Sequence, residues 1–103
     1  MSLADAYERQ VAKCIANFRM KAEVYDRDDE TWEDKFPHGM QDIAYEAWKK
    51  SRRLNAALER AGQCDSEEAR RAIFDSLQDL ANYMLFGMCI LEEEGVGENE
   101  LAK

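Results

Sequence analysis

Asp75, Asp79 and Asn82 stand at i, i+4 and i+7 in a largely apolar stretch, so on a helix they share one face. Glu46, Lys50 and Arg53 repeat the same spacing earlier in the chain, and Asp42 extends that stripe by one turn. If the two stripes face each other, carboxylates from two helices gather beside two cations and an amide. Hard carboxylate oxygens are what Mg²⁺ takes, with room left for waters and phosphate oxygens. Such a cation activates water against a phosphate and neutralises the leaving charge. Lys50 and Arg53 are suited to hold phosphate oxygens. The metal reading takes Glu46, Asp75 and Asp79 as ligands. The same spacings also have plainer uses. Glu46–Lys50 is an i, i+4 ion pair of about a few tenths of a kcal/mol, Asp75 can pair with Arg70 or Arg71, and Asp79 and Asn82 can bond across a helix interface.

The elements that must position these residues follow from apolar periodicity. Leu3, Tyr7, Val11, Cys14, Ile15, Phe18, Ala22 and Tyr25 recur at steps of three and four, one face of an amphipathic helix. The pattern stops at Asp26-Arg27-Asp28-Asp29-Glu30. Thr31 with Asp34 suits a short capped turn carrying Trp32 and Phe36, and Pro37-His38-Gly39 punctuates the chain. His38 is read as a loop residue without chemistry. A second helix is expected from Met40 to Ala61, ended by Gly62. Asp65 is the expected N-cap of a third, with Glu68 completing a capping box, and that helix continues to about Glu94. From Leu80 to Leu91 it is apolar nearly all round, apart from Asn82. A helix apolar on every side must be covered on every side, which leads to a homodimer or tetramer through Leu80–Leu91. As a helix this run reaches roughly 18 Å, short of a bilayer.

The chain has 103 residues, enough for a single domain, expected over residues 1–95 with 96–103 as a flexible tail. Apolar residues are 46%, so the chain should fold. Five glycines and one proline are too few for the turns of a sandwich or barrel. The expected fold is all-α, an antiparallel bundle of three long helices with a short extra turn. Fourteen basic against 22 acidic residues leave a net charge of −8, which argues against direct DNA binding or an anionic lipid surface. Cys14, Cys64 and Cys89 are too scattered for a disulfide framework or a zinc site and fit idle thiols in a reducing cytoplasm. The opening Met1-Ser2-Leu3-Ala4-Asp5 lacks the basic and apolar runs of a signal peptide.

Three segments carry a resemblance: MKAEVYDRDDETW (Met20 to Trp32), HGMQDIAYEAWKKSRRL (His38 to Leu54) and IFDSLQDLANYMLFGMCIL (Ile73 to Leu91). Together they resemble the nucleotide-modification-associated domain proteins of phages and bacteria, similar to the all-α MazG-like nucleoside triphosphate pyrophosphohydrolases. The matching elements are Lys21 and Tyr25, Gly39 with Lys50, Arg53 and Leu54, and Asp75, Asp79, Leu80, Ala81, Asn82 and Tyr83. The last group is the most specific. The resemblance implies a helical bundle, often dimeric or tetrameric, and Mg²⁺ held by acids of two helices. It also implies attack of water on a nucleotide's phosphate chain, in the host cytoplasm if the protein is phage-encoded. Asn82 would orient a ligand or the sugar, and Tyr25 or Trp32 would stack on the base. The chain departs from the usual Glu-x-x-Glu and Glu-x-x-Asp pairs: Glu46 has Ile43 before it and Lys49 after it, and Ser76 precedes Asp79. The alternative is an acidic helical interaction protein without catalysis.

Overall fold

The computed structural model describes residues 2–25 and 29–95, and only the backbone of Tyr25. Its elements are α1 (Leu3–Tyr25), α2 (Trp32–Lys35), α3 (Met40–Gln63) and α4 (Glu67–Glu93), with no strand among the described residues. The all-helical class is therefore as expected. The chain falls into two compact units, Met1–Thr31 and Trp32–Lys103, where the sequence leads one to expect a single domain. Each is described by itself.

The first unit is α1, opened by Ser2, whose hydroxyl accepts from the Asp5 amide at 3.1 Å. The expected stripe is there, and Leu3, Tyr7, Val11 and Ile15, each four residues from the last, lie exposed along it.

The second unit is a hairpin of α3 and α4 with α2 laid against it. The two long helices run antiparallel: Gly87 near the end of α4 approaches Met40 and Ile43 at the start of α3. At the other end Arg53 and Ala57 line a shared concavity with Ala69 and Ser76. A Cβ built on the buried Gly87 would lie 3.4 Å from the Met40 methyl carbon and 3.5 Å from Ile43 Cγ2, ordinary contact distances that show how closely the two helices pack here. The core is small and sits at this end. Phe36, Ile43 and Ile90 are buried, with Trp32, Tyr83 and Phe86 packed on them. Phe36 stands between Tyr83, 6.2 Å away and edge-on, and Phe86, 5.7 Å away. Such aromatic pairs add roughly 0.5–1.5 kcal/mol beyond burial.

The caps differ from the sequence expectation. Ser66, not Asp65, caps α4, its hydroxyl accepting from the Ala69 amide at 3.1 Å. Asp65 instead takes a two-pronged ion pair from Arg70, at 2.7 and 2.9 Å. Either residue can accept from a first-turn amide, and here Asp65 is engaged by Arg70 while Ser66 caps. Gly62 does not end α3, which runs to Gln63 and gives way at Cys64. At the other end Gly39 caps α3 with φ +60° and no side chain. The expected tail 96–103 and the acidic run at Asp26–Asp28 lie outside the described residues. Among the described residues no helix is long and apolar enough to cross a membrane.

Candidate functional site

The two polar stripes touch through Lys50 and Asp79. Lys50 leans from α3 across to α4, its Nζ 4.0 Å from Asp79 Oδ2. The Lys50 side chain is 15% exposed and that of Asp79 36%. A half-buried cation needs a counter-charge nearby. At 4.0 Å the two attract without a direct hydrogen bond. The antiparallel hairpin sets this pairing: with Ile43 against Gly87, the middle of α3 falls beside the middle of α4.

Glu46 lies one turn before Lys50 and lines an open concavity of about 450 Å³ with Lys35, Phe36, Pro37, Asp42, Tyr45 and Tyr83. Its carboxylate is 2.9 Å from Lys49 rather than from Lys50, and this contact holds the Lys49 ammonium above its usual range. Lys50 is thus left to α4. Tyr83 links the two acids. Burial pushes its phenol up first, and the Glu46 and Asp79 carboxylates push it further, with Lys49 opposing them. A raised phenol favours the protonated form in the folded state. The stabilisation is therefore present below the ordinary tyrosine value near 10 and is lost as pH climbs through Tyr83's own value. The difference between the ultraviolet titrations of wild type and Tyr83→Phe should show a phenol above that value. Glu46→Gln should bring it down, and an unchanged curve would mean that Glu46 does not face the ring.

The other expected residues separate. Asp75 is turned to solvent, its carboxylate 3.3 Å from Arg71 on its own helix and 55% exposed. Asp42 accepts from the His38 amide at 2.8 Å and so serves the start of α3, although it also borders the concavity. Arg53, one turn past Lys50, lines the separate concavity of about 350 Å³ beside Arg60 and the start of α4. Asn82 is half-buried one turn after Asp79. Trp32 does not stand on an open loop: its ring is stacked at 6.2 Å on Phe36 and lies 5.6 Å from Phe86. This packing anchors four-residue α2, which has no other apolar group, and leaves Trp32 half-buried at the edge of a concavity with Pro37 and Glu93. The side chain of Tyr25 lies outside the described residues.

Sequence reasoning missed Tyr45 and Trp48. Their rings stack at 6.1 Å on the open side of α3, with Lys49 over Tyr45 at 4.9 Å and Arg52 over Trp48 at 5.1 Å. Both are exposed by more than half. The signal was available as two large aromatics at i, i+3 beside Glu46.

Among the described residues no three Asp, Glu, His or Cys side chains come together to hold a metal. Glu46 and Asp79 remain as carboxylates on two helices around Tyr83. Two carboxylates, one of them held by Lys49, do not make a cage for a metal ion. No protein-family model, curated protein or solved structure matches this chain.

Proposed function

We infer that the second unit handles nucleotide phosphates, as a pyrophosphohydrolase-type protein related in pattern to the MazG-like enzymes. The observation that supports this most is the Lys50–Asp79 contact across the hairpin, with Glu46 one turn away. Lys50 would turn its ammonium from Asp79 to a phosphate oxygen. Arg53 and Arg60, further along α3, would draw in the rest of the phosphate chain. Asp79 and Glu46 would hold Mg²⁺ with the bound nucleotide. That ion would supply charge neutralisation and an activated water between the α and β phosphates. Asn82 would orient the Asp79 carboxylate or the sugar, and Tyr45 at the rim of the concavity offers a ring face to the base. Asp75, committed to Arg71, takes no part. The reading includes the bundle and an oligomeric state.

The test is pyrophosphate release from a panel of deoxynucleoside triphosphates with Mg²⁺. Asp79→Asn should lower turnover by about 100-fold or more, while Asp75→Asn should stay within about twofold. No turnover by the wild type withdraws the enzymatic reading.

A second reading, an acidic helical interaction protein without catalysis, is favoured by the exposed apolar residues of α1 and α4. The two part on one measurement. Mg²⁺ with nucleotide raises the melting temperature only if both prefer the folded chain, and under the second reading it leaves the temperature unchanged.

A further inference from the structure

The concavity beside Tyr83 holds an acceptor that the phosphate reading leaves unused. Asp42 stands half-buried in the first turn of α3, and its Oδ2 accepts from the His38 amide at 2.8 Å. That bond fixes the carboxylate and leaves Oδ1 without a hydrogen bond among the described residues. Phe36, Tyr45 and Tyr83 line the same concavity of about 450 Å³. Aromatic walls with a few placed polar groups are the usual surroundings of a small planar ligand.

Three charged side chains line this space: Lys35, Asp42 and Glu46. Glu46 is engaged by Lys49 at 2.9 Å. Asp42 is therefore the open acceptor, and Lys35, at the end of α2 with its ammonium 5.8 Å from the centre of the Phe86 ring, is the cationic donor. Among the four common DNA bases, guanine alone sets two N–H donors side by side, N1–H and N2–H, with the O6 acceptor next to them. Oδ1 and the second lone pair of Oδ2 can accept from that pair, and O6 suits an ammonium. At the same edge adenine and cytosine turn a ring-nitrogen acceptor toward the carboxylate, and thymine flanks its one N–H with two carbonyls. An acceptor set against an acceptor, both stripped of water, is penalised. Asp42 and Lys50 lie just over two turns apart, roughly 12 Å along α3, so a base edge at Asp42 leaves its phosphates toward Lys50.

We propose that the nucleotide taken by this site carries guanine, read by Asp42 on N1–H and N2–H and by Lys35 on O6. The proposal rests on the phosphate reading and names the base which that reading leaves open.

Its test needs no catalysis. Calorimetric titration of the full chain with deoxynucleoside monophosphates should show dGMP binding about tenfold or more tighter than dAMP, dCMP or dTMP, as for a well-placed bidentate pair. Deoxyinosine monophosphate keeps N1–H and O6 but lacks the 2-amino group, and it should fall between dGMP and dAMP. Asp42→Asn keeps an oxygen for the His38 amide and turns an NH₂ group toward the base. Its melting temperature should stay near that of the wild type while the preference for dGMP vanishes. Equal binding of the four by the wild type overturns the guanine assignment and leaves the phosphate reading standing. A dGMP preference that survives in a folded Asp42→Asn variant overturns the role of Asp42. Deoxyinosine monophosphate binding as tightly as dGMP does so without any variant. No binding of any of the four overturns the proposal as well, and pyrophosphate release then decides whether the phosphate reading falls with it.

Discussion

Phe36→Ala is expected to destabilise the second unit by about 3–5 kcal/mol, the range for emptying a buried phenylalanine site. Phe36 is 7% exposed and meets Trp32, Tyr83 and Phe86 at once. Phe36 directly follows α2, and a helix of four residues has no stability of its own. Losing the ring therefore leaves a cavity and also frees Trp32. At about 4–8 °C per kcal/mol for a unit of this size, the thermal midpoint should fall by roughly 12 °C or more. Trp32 emission should shift to the red before α3 and α4 lose helicity. Tyr45→Ala, on the exposed side of α3, should cost under about 1 kcal/mol. If Phe36→Ala is as mild as that control, the aromatic cluster is not the core.

Gly39→Ala is expected to cost about 1–3 kcal/mol, and for a different reason. A Cβ at Gly39 meets nothing within 4 Å, so no clash contributes. Its φ of +60° with ψ of −128° is a conformation that side-chain-bearing residues resist. The turn depends on that conformation: the Gly39 amide donates to the Phe36 carbonyl at 2.8 Å, and its own carbonyl accepts from Asp42 and Ile43. An alanine that relaxes φ pulls Phe36 and Ile43 out of register together. Gly62 is the internal control. It also has open space but lies inside α3, so Gly62→Ala should stabilise by about 0.5–1 kcal/mol. Urea midpoints that move the same way for both variants would show that the Gly39 backbone carries no strain.

Helix content was legible because it rests on periodicity. The steps from Leu3 to Tyr25 and from Met40 onward gave elements close to α1 and α3. The end of α3 and the cap of α4 were off by a residue or two, because glycine permits a helix to continue and because Asp65 and Ser66 compete for one role. Charge partners were less legible. Glu46 has lysines at both i+3 and i+4, and spacing alone does not say which one α4 will claim; the presence of Asp79 opposite Lys50 decides it. Asp75 shares a helix face with Asp79 by count, yet with Arg71 four residues before it the carboxylate turns to solvent. Trp32 misled because its sequence neighbours are charged, whereas Phe36, Tyr83 and Phe86 reach it from elsewhere in the chain.

One property of the interior sets how the molecule responds to heat. Among the described residues no large side chain is wholly sealed from water, and the most shielded, Ile43, is still 4% exposed. The heat capacity of unfolding measures newly wetted apolar surface. A chain that already wets so much of its surface has little left to expose, so its calorimetric step should be low, its melting curve broad and its dependence on denaturant shallow for its length. Whatever buries the remaining apolar faces would sharpen all three.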